Sequence, residues 1–316
     1  MLLSTGKKLF GIVLVFRLFK ILNHFGFVLL FFHIFIVAFN IFKDKCYIIK
    51  DMSDNVILST HGLHKAYGKG DSRFEALRGI NLEIKQGESV AIIGKSGSGK
   101  STLMHLLALL DKPTKGSIEL DGENTSKLRQ KRLNQLRNKK FGFVFQSFFM
   151  NANDTVLNNV ILPLKIAGVR PGERRRRAMH ALKIVGLEDK AKNKANDLSG
   201  GQKQRVCIAR AIVNDPEIIF ADEPTGNLDS VTGEKVEKIL FDLNHDKGIT
   251  LIIVTHDSDL ANKCDRQIRI ADGRVINGKD VENDNVVYAK KPPTYYTHDS
   301  GDTDADGMLD VLEEDA

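Results

Sequence analysis

The segment Gly94-Lys95-Ser96-Gly97-Ser98-Gly99-Lys100-Ser101-Thr102 has the spacing G-x-x-x-x-G-K-[ST], which suits a backbone that wraps an anion. Its small residues let successive N–H groups converge on the α- and β-phosphates of a nucleotide, and the partial positive charge at the start of the following helix adds to them. In that arrangement Lys100 reaches the β- and γ-phosphates and Ser101 ligates Mg²⁺. A second constellation lies near the end of the chain. Asp302, Asp304, Asp306, Gly307, Met308, Asp310 and Glu313 fit a twelve-residue Ca²⁺ loop, with carboxylates at positions 1, 3 and 5, glycine at 6, a backbone carbonyl at 7, and Glu313 at 12. Pro292-Pro293 and Gly301 preclude a good entering helix, so a disordered acidic tail stands beside the Ca²⁺ loop as an alternative.

Positioning the anion loop requires a strand before it and a helix after it. The apolar run Ser89 to Ile93 supplies the strand, and Leu103, Met104, Leu106, Leu107 and Leu110 supply a buried helix face. Short strand patterns also appear at Val56 to Ser59, Ile80 to Ile84 and Ser117 to Leu120, with turns at Gly87 and Thr114 to Gly116. Helical patterns dominate from about Ser126 to Ala211. Two later apolar runs, Glu217 to Ala221 and Ile249 to Val254, end in Asp222-Glu223-Pro224 and Thr255-His256-Asp257. Polar groups just beyond strand C-termini mark the ligand edge of an open α/β sheet.

The chain has 316 residues and a net charge of +6, unevenly spread. Residues 1–51 carry 7 Lys/Arg against 2 Asp/Glu, residues 52–278 carry 36 against 27, and residues 279–316 carry 3 against 11. No recognition motif accompanies the basic runs Lys127 to Arg137 and Arg174 to Arg177, so no nucleic-acid partner is expected. Cys46, Cys207 and Cys264 have neither metal nor redox spacing and suit a reducing compartment. Residues 9–42 hold ten of the eighteen phenylalanines, and the 18-residue run Phe25 to Phe42 just suffices for a membrane span. It lacks a small-residue cleavage site, which argues against a signal peptide. Two readings stand for residues 1–51: a membrane anchor, or a start assigned too early, with Met52 opening the domain proper. Residues 52–278 form the main domain, and residues 279–316 a linker and acidic tail.

From about residue 55 to 278 the chain resembles an ATP-binding-cassette nucleotide-binding domain, because the anion loop is joined in order by further family motifs. Leu198-Ser199-Gly200-Gly201-Gln202 matches the family signature, with Ser199 placed to cap a helix starting near Gln202. The resemblance implies an α/β fold of the P-loop NTPase class, with an antiparallel β subdomain and a helical subdomain. It implies that residues 94–102 bind ATP, that Asp222 and Gln146 join Ser101 around Mg²⁺, and that Glu223 is the general base. His256 matches the switch histidine at the γ-phosphate, and Lys100 completes the catalytic set. Ser199, Gly200, Gly201 and Gln202 would address ATP held by a second subunit. Asp229 would link the two composite sites, and Tyr67 would stack on adenine.

The resemblance further implies a homodimer or paired cassette acting on a separate integral membrane permease, at the cytoplasmic face of the cell membrane. Within the family, Leu109 to Thr114, Thr155 to Val160 and Ala221 to Ser230 look like the lipoprotein-release, macrolide-export and cell-division branch. Two alternatives remain at this stage, a non-transport ABC ATPase and a non-hydrolysing regulatory cassette. The intact Glu223 and His256 weigh against the latter.

Overall fold

A computed structural model describes residues 55–276. The readings of residues 1–51 as an anchor or early start, and of Asp302 to Glu313 as a Ca²⁺ loop, lie outside the described residues. Among the described residues no helix is long and apolar enough to cross a membrane.

The strands sort into two sheets. The first is antiparallel and holds β1 (Val56–Tyr67), β2 (Phe74–Lys85), β4 (Lys115–Leu120) and β5 (Glu123–Asn124) in the order β2-β1-β4-β5. The second holds β3 (Ser89–Ile93), β6 (Phe141–Val144), β7 (Ile218–Asp222), β8 (Thr250–Val254), β9 (Arg266–Ala271) and β10 (Arg274–Ile276), in the order β10-β9-β3-β8-β7-β6. All its pairings are parallel except that of β10 with β9. Continuous apolar runs such as Leu251-Ile252-Ile253-Val254 are what a parallel strand covered on both faces requires.

Alternate residues of those runs enter different cores. Ala91, Ile219, Ala221, Leu251 and Ile253 face one core, whereas Val90, Ile92, Ile218, Phe220, Ile252 and Val254 face the other. The second core also takes the inner residues of β1 and β2 and the helix α1 (Lys100–Leu107). The first takes α3 (Val156–Ile166), α4 (Pro171–Ile184) and α5 (Gly200–Ile212), which pack on one another and form the expected helical subdomain. Three more helices complete the described chain: α2 (Gln130–Lys140), α6 (Ser230–Lys247) and α7 (Ser258–Asn262).

Four local expectations need correction. Leu110 is exposed, because Leu109 adopts φ 55° and turns the chain out of α1 before Leu110 can join its buried face. The stretch read as mainly helical, residues 126–211, also contains the edge strand β6, paired with β7. The helix after Ser199 begins at Gly200, two residues earlier than expected. β1 and β2 are also much longer than their sequence patterns, because bulges near Leu63 and Ala66 let the two strands continue past breaks in the alternation.

Candidate functional site

The anion loop turns between β3 and α1 through three glycines with positive φ: Gly94 at 154°, Gly97 at 77° and Gly99 at 107°. A methyl group on Gly94 would lie 2.2 Å from the Ile270 carbonyl oxygen, and one on Gly99 would lie 2.7 Å from that of Ala76. The loop is thus pressed between both sheets. It is also tied to them: Gly273 N donates to Ser98 O at 3.0 Å, and Arg78 N donates to Gly273 O at 2.8 Å. Lys95, Ser96 and Gly97 are exposed at the crest while Ser98 is buried. Lys100 Nζ donates to Gly94 O at 2.8 Å and Lys95 O at 3.0 Å, so the ammonium lies across the loop. Ser101 is exposed in the first turn of α1.

Tyr67 closes β1 beside that helix. Its hydroxyl donates to Asp111 Oδ2 at 3.1 Å, and Lys65 Nζ sits 4.8 Å from its ring centroid. Lys65 in turn pairs with Asp111 at 2.7 Å. The tyrosine ring is therefore clamped near the loop and still partly exposed.

Asp222 ends β7, and the neighbouring β8 runs straight into Thr255 and His256. The parallel register sets Asp222 beside Val254, which delivers both polar groups to one edge. Glu223 then turns with φ 45°, a left-handed conformation that a glutamate rarely adopts and that costs of order 1–3 kcal/mol. The surroundings hold it there. Its N–H donates to Val254 O at 2.9 Å, the Thr255 hydroxyl donates to its Oε2 at 3.1 Å, and His256 N donates to its Oε1 at 3.1 Å. His256 Nδ1 lies 2.8 Å from the same Oε1.

Burial, then the Glu223 carboxylate, push the Asp222 carboxyl above the usual range, while His105 and Lys100 oppose them. The hydrogen bond that the ring donates to Glu223, then the charge of that carboxylate, raise His256 above its ordinary value. A raised value favours the protonated ring in the fold. The pair's contribution is therefore fully present below the unfolded value, roughly 6.5, and is lost as pH rises through the folded one. Solvent screens it, since the His256 side chain is 75% exposed. Glu223→Gln is expected to lower the titration midpoint of His256, followed through its ring protons by NMR; an unchanged midpoint would mean that the contact is not made in solution.

Gln146 follows β6 and donates through Nε2 to Asn227 Oδ1 at 3.5 Å, while Asn227 Nδ2 returns a bond to Gln146 O at 3.1 Å. Ser199 caps α5: its Oγ accepts from Gln202 N at 3.4 Å, and Gln202 Oε1 accepts from Ser199 N at 3.0 Å. A methyl on Gly201 would lie 1.8 Å from Thr232 Cγ2, so only glycine lets the starts of α5 and α6 approach this closely. Gly200 stands near Leu228 and Phe148. Asp229 caps α6 by accepting from Thr232 N at 3.0 Å, a bond that holds its carboxyl below the usual range. The residues expected around a metal are all oxygen donors: the Ser101 hydroxyl, the Asp222 carboxylate and the Gln146 amide. That hard set, with a half-buried carboxylate, fits Mg²⁺.

The fold thus brings Asp222, Glu223 and His256 to one sheet edge and sets the anion loop at the end of an adjacent strand. It places the Ser199–Gln202 turn at the head of a separate helix. Sequence reasoning gave no role to Thr255, Asn227 or Gln204. Thr255 directly follows the recognised strand, which was a usable signal; Asn227 and Gln204 carried none.

The family model described as ABC transporter matches residues 77–226. The lipoprotein-releasing system ATP-binding protein LolD of Bacteroides fragilis is 46% identical over 220 residues, covering 70% of this chain and 100% of that protein. The macrolide export ATP-binding/permease protein MacB of Aggregatibacter actinomycetemcomitans is 46% identical over 240 residues, covering 76% of this chain but 37% of that protein. Among solved structures, the dimeric post-hydrolysis state of the cassette MJ0796 bound to ADP and Pi is 45% identical. It has a TM-score of 0.65 and covers 70% of this chain and 97% of that one.

Proposed function

The chain belongs to the ABC transporter ATPases, and from that membership we propose that it drives a separate membrane permease of the lipoprotein-release or macrolide-export type. It is an ATPase and an ATP-binding transporter subunit, similar to LolD over that protein's whole length. Two copies, or this chain and a paired cassette, close head to tail at the cytoplasmic face of the membrane. The anion loop of one then meets the Ser199–Gln202 turn of the other around ATP. The dimeric form of the similar cassette supports this arrangement.

The observation that carries the hydrolytic mechanism is the anchored Glu223. Its carboxylate is held by Thr255 and His256, one residue beyond Asp222, on the edge that adjoins the anion loop. Glu223 takes the proton of the attacking water, and His256 keeps the carboxylate aimed while facing the γ-phosphate. Lys100 and the loop N–H groups bind the phosphates and stabilise charge that develops on them. Ser101, Asp222 and Gln146 would hold Mg²⁺, which would neutralise phosphate charge when bound. Tyr67, clamped by Lys65 and Asp111, offers its free face to adenine.

Co-expression with an integral membrane protein encoded beside this chain tests the permease assignment. The expected result is a detergent-stable complex whose ATP turnover differs several-fold from that of the isolated chain. A chain that turns ATP over yet associates with no such protein would overturn the assignment.

A further inference from the structure

Helix α5 carries three polar side chains spaced three residues apart, Gln204, Cys207 and Arg210, and all reach backbone carbonyls in the segment that follows β6. Cys207 Sγ donates to Phe148 O at 3.1 Å, while Arg210 donates to Phe148 O at 2.9 Å and to Phe149 O at 2.8 Å. Gln204 spans two segments. Its Nε2 donates to Phe145 O at 3.3 Å and to Pro224 O at 2.8 Å. Phe145 precedes Gln146 and Pro224 follows Glu223, so one amide ties the backbone of both site residues to the helix that Ser199 caps.

Packing gives no reason for an amide at this position. The side chain is 1% exposed, its neighbours Val206, Ile208 and Ala209 are apolar core, and its Oε1 is buried without a hydrogen-bond partner. An orphaned buried acceptor is unfavourable, and a methionine would fill the volume without it. Turning the amide over would set Oε1 against two carbonyl oxygens, so the donor orientation is fixed by its surroundings.

We infer that Gln204 is a positioning residue for hydrolysis. It holds Gln146 and Glu223 in register with each other and passes any displacement of the Ser199–Gln202 turn to both. It acts through two main-chain carbonyls and not through the substrate. The inference rests on the roles given above to Glu223 and Gln146.

The test uses the purified full chain, with ATP hydrolysis measured from about pH 6 to about pH 8.5, on either side of the ordinary histidine value. Gln204→Met removes the donor and keeps the volume. Its kcat should fall on the order of tenfold or more, with KM for ATP within about twofold, because geometry is lost at the reacting centre while the phosphate loop is untouched. Gln204→Glu should be equally impaired at high pH, where a carboxylate would face two carbonyl oxygens. As pH falls the introduced carboxyl protonates and its O–H can donate to Pro224 O, so its rate relative to wild type should rise several-fold. A merely structural role would not produce that inverted profile.

A kcat for Gln204→Met within about twofold of wild type, a loss confined to KM, or a pH-independent ratio for Gln204→Glu would overturn the inference. If Gln204→Met does not fold, as judged by thermal melting, the pH ratio decides alone. An active wild type with unaffected variants faults Gln204 only, whereas a wild type with no turnover faults the reading of Glu223 as well.

Discussion

Glu223→Gln is expected to keep ATP binding and to lower turnover by about 10²- to 10⁴-fold, the range a positioned general base contributes. Glutamine keeps the shape, and its Oε1 can still accept from His256 N while its amide nitrogen can donate to the Thr255 hydroxyl, so the left-handed turn at Glu223 should persist while the capacity to take a proton is lost. Closed dimers with ATP between them should therefore accumulate, since closure no longer leads on to hydrolysis. Steady-state turnover and size-exclusion chromatography with ATP measure both effects. Activity within a few-fold of wild type would remove Glu223 from the role.

The second large effect is steric. At Gly94 a Cβ would lie 2.2 Å from Ile270 O and 2.8 Å from Ser98 Oγ, and φ 154° belongs to a region that only glycine occupies readily. Because the close neighbour is backbone in β9, no side-chain rotation can relieve the contact. Gly94→Ala should destabilise the domain by about 3 kcal/mol or more, which for a domain of this size lowers Tm by roughly 6–12 °C. The loop N–H groups would move as well, so nucleotide affinity should fall with stability. Gly97→Ala is a control without the clash: nothing lies within 4 Å of a methyl there, and only the strain of φ 77° remains. Calorimetric melting and nucleotide titration of both variants check the contrast. Equal melting temperatures for Gly94→Ala and wild type would refute it.

Most of the site was legible because its groups sit at fixed offsets from apolar strands. Ser89 to Ile93 has the same bounds in the sequence pattern and in the fold, and β7 and β8 differ from their patterns by a residue. β6 was missed for a physical reason. Phe141-Gly142-Phe143-Val144 is short, follows the basic end of α2, and contains a glycine that alone lets the strand approach α5, since a methyl on Gly142 would lie 2.7 Å from Ala211 O. Such a residue records tertiary contact and not local preference. Gln204 was missed because a glutamine inside a helix resembles a solvated position; only the packed structure reveals that its amide points inward. Leu110 misled in the opposite sense, as an apolar residue that extended the helical period past the turn at Leu109.

The ties that shape the anion loop reach far along the chain. Its glycines come early, yet the carbonyl that confines Gly94 belongs to Ile270, the amide that binds Ser98 O belongs to Gly273, and Thr255 N bonds to Ile92 O. During synthesis the ribosome therefore makes the phosphate-binding sequence long before it makes the residues that close around it. A nascent domain thus holds the motif before it holds the contacts from β9 and the Gly273 turn that close the finished cradle.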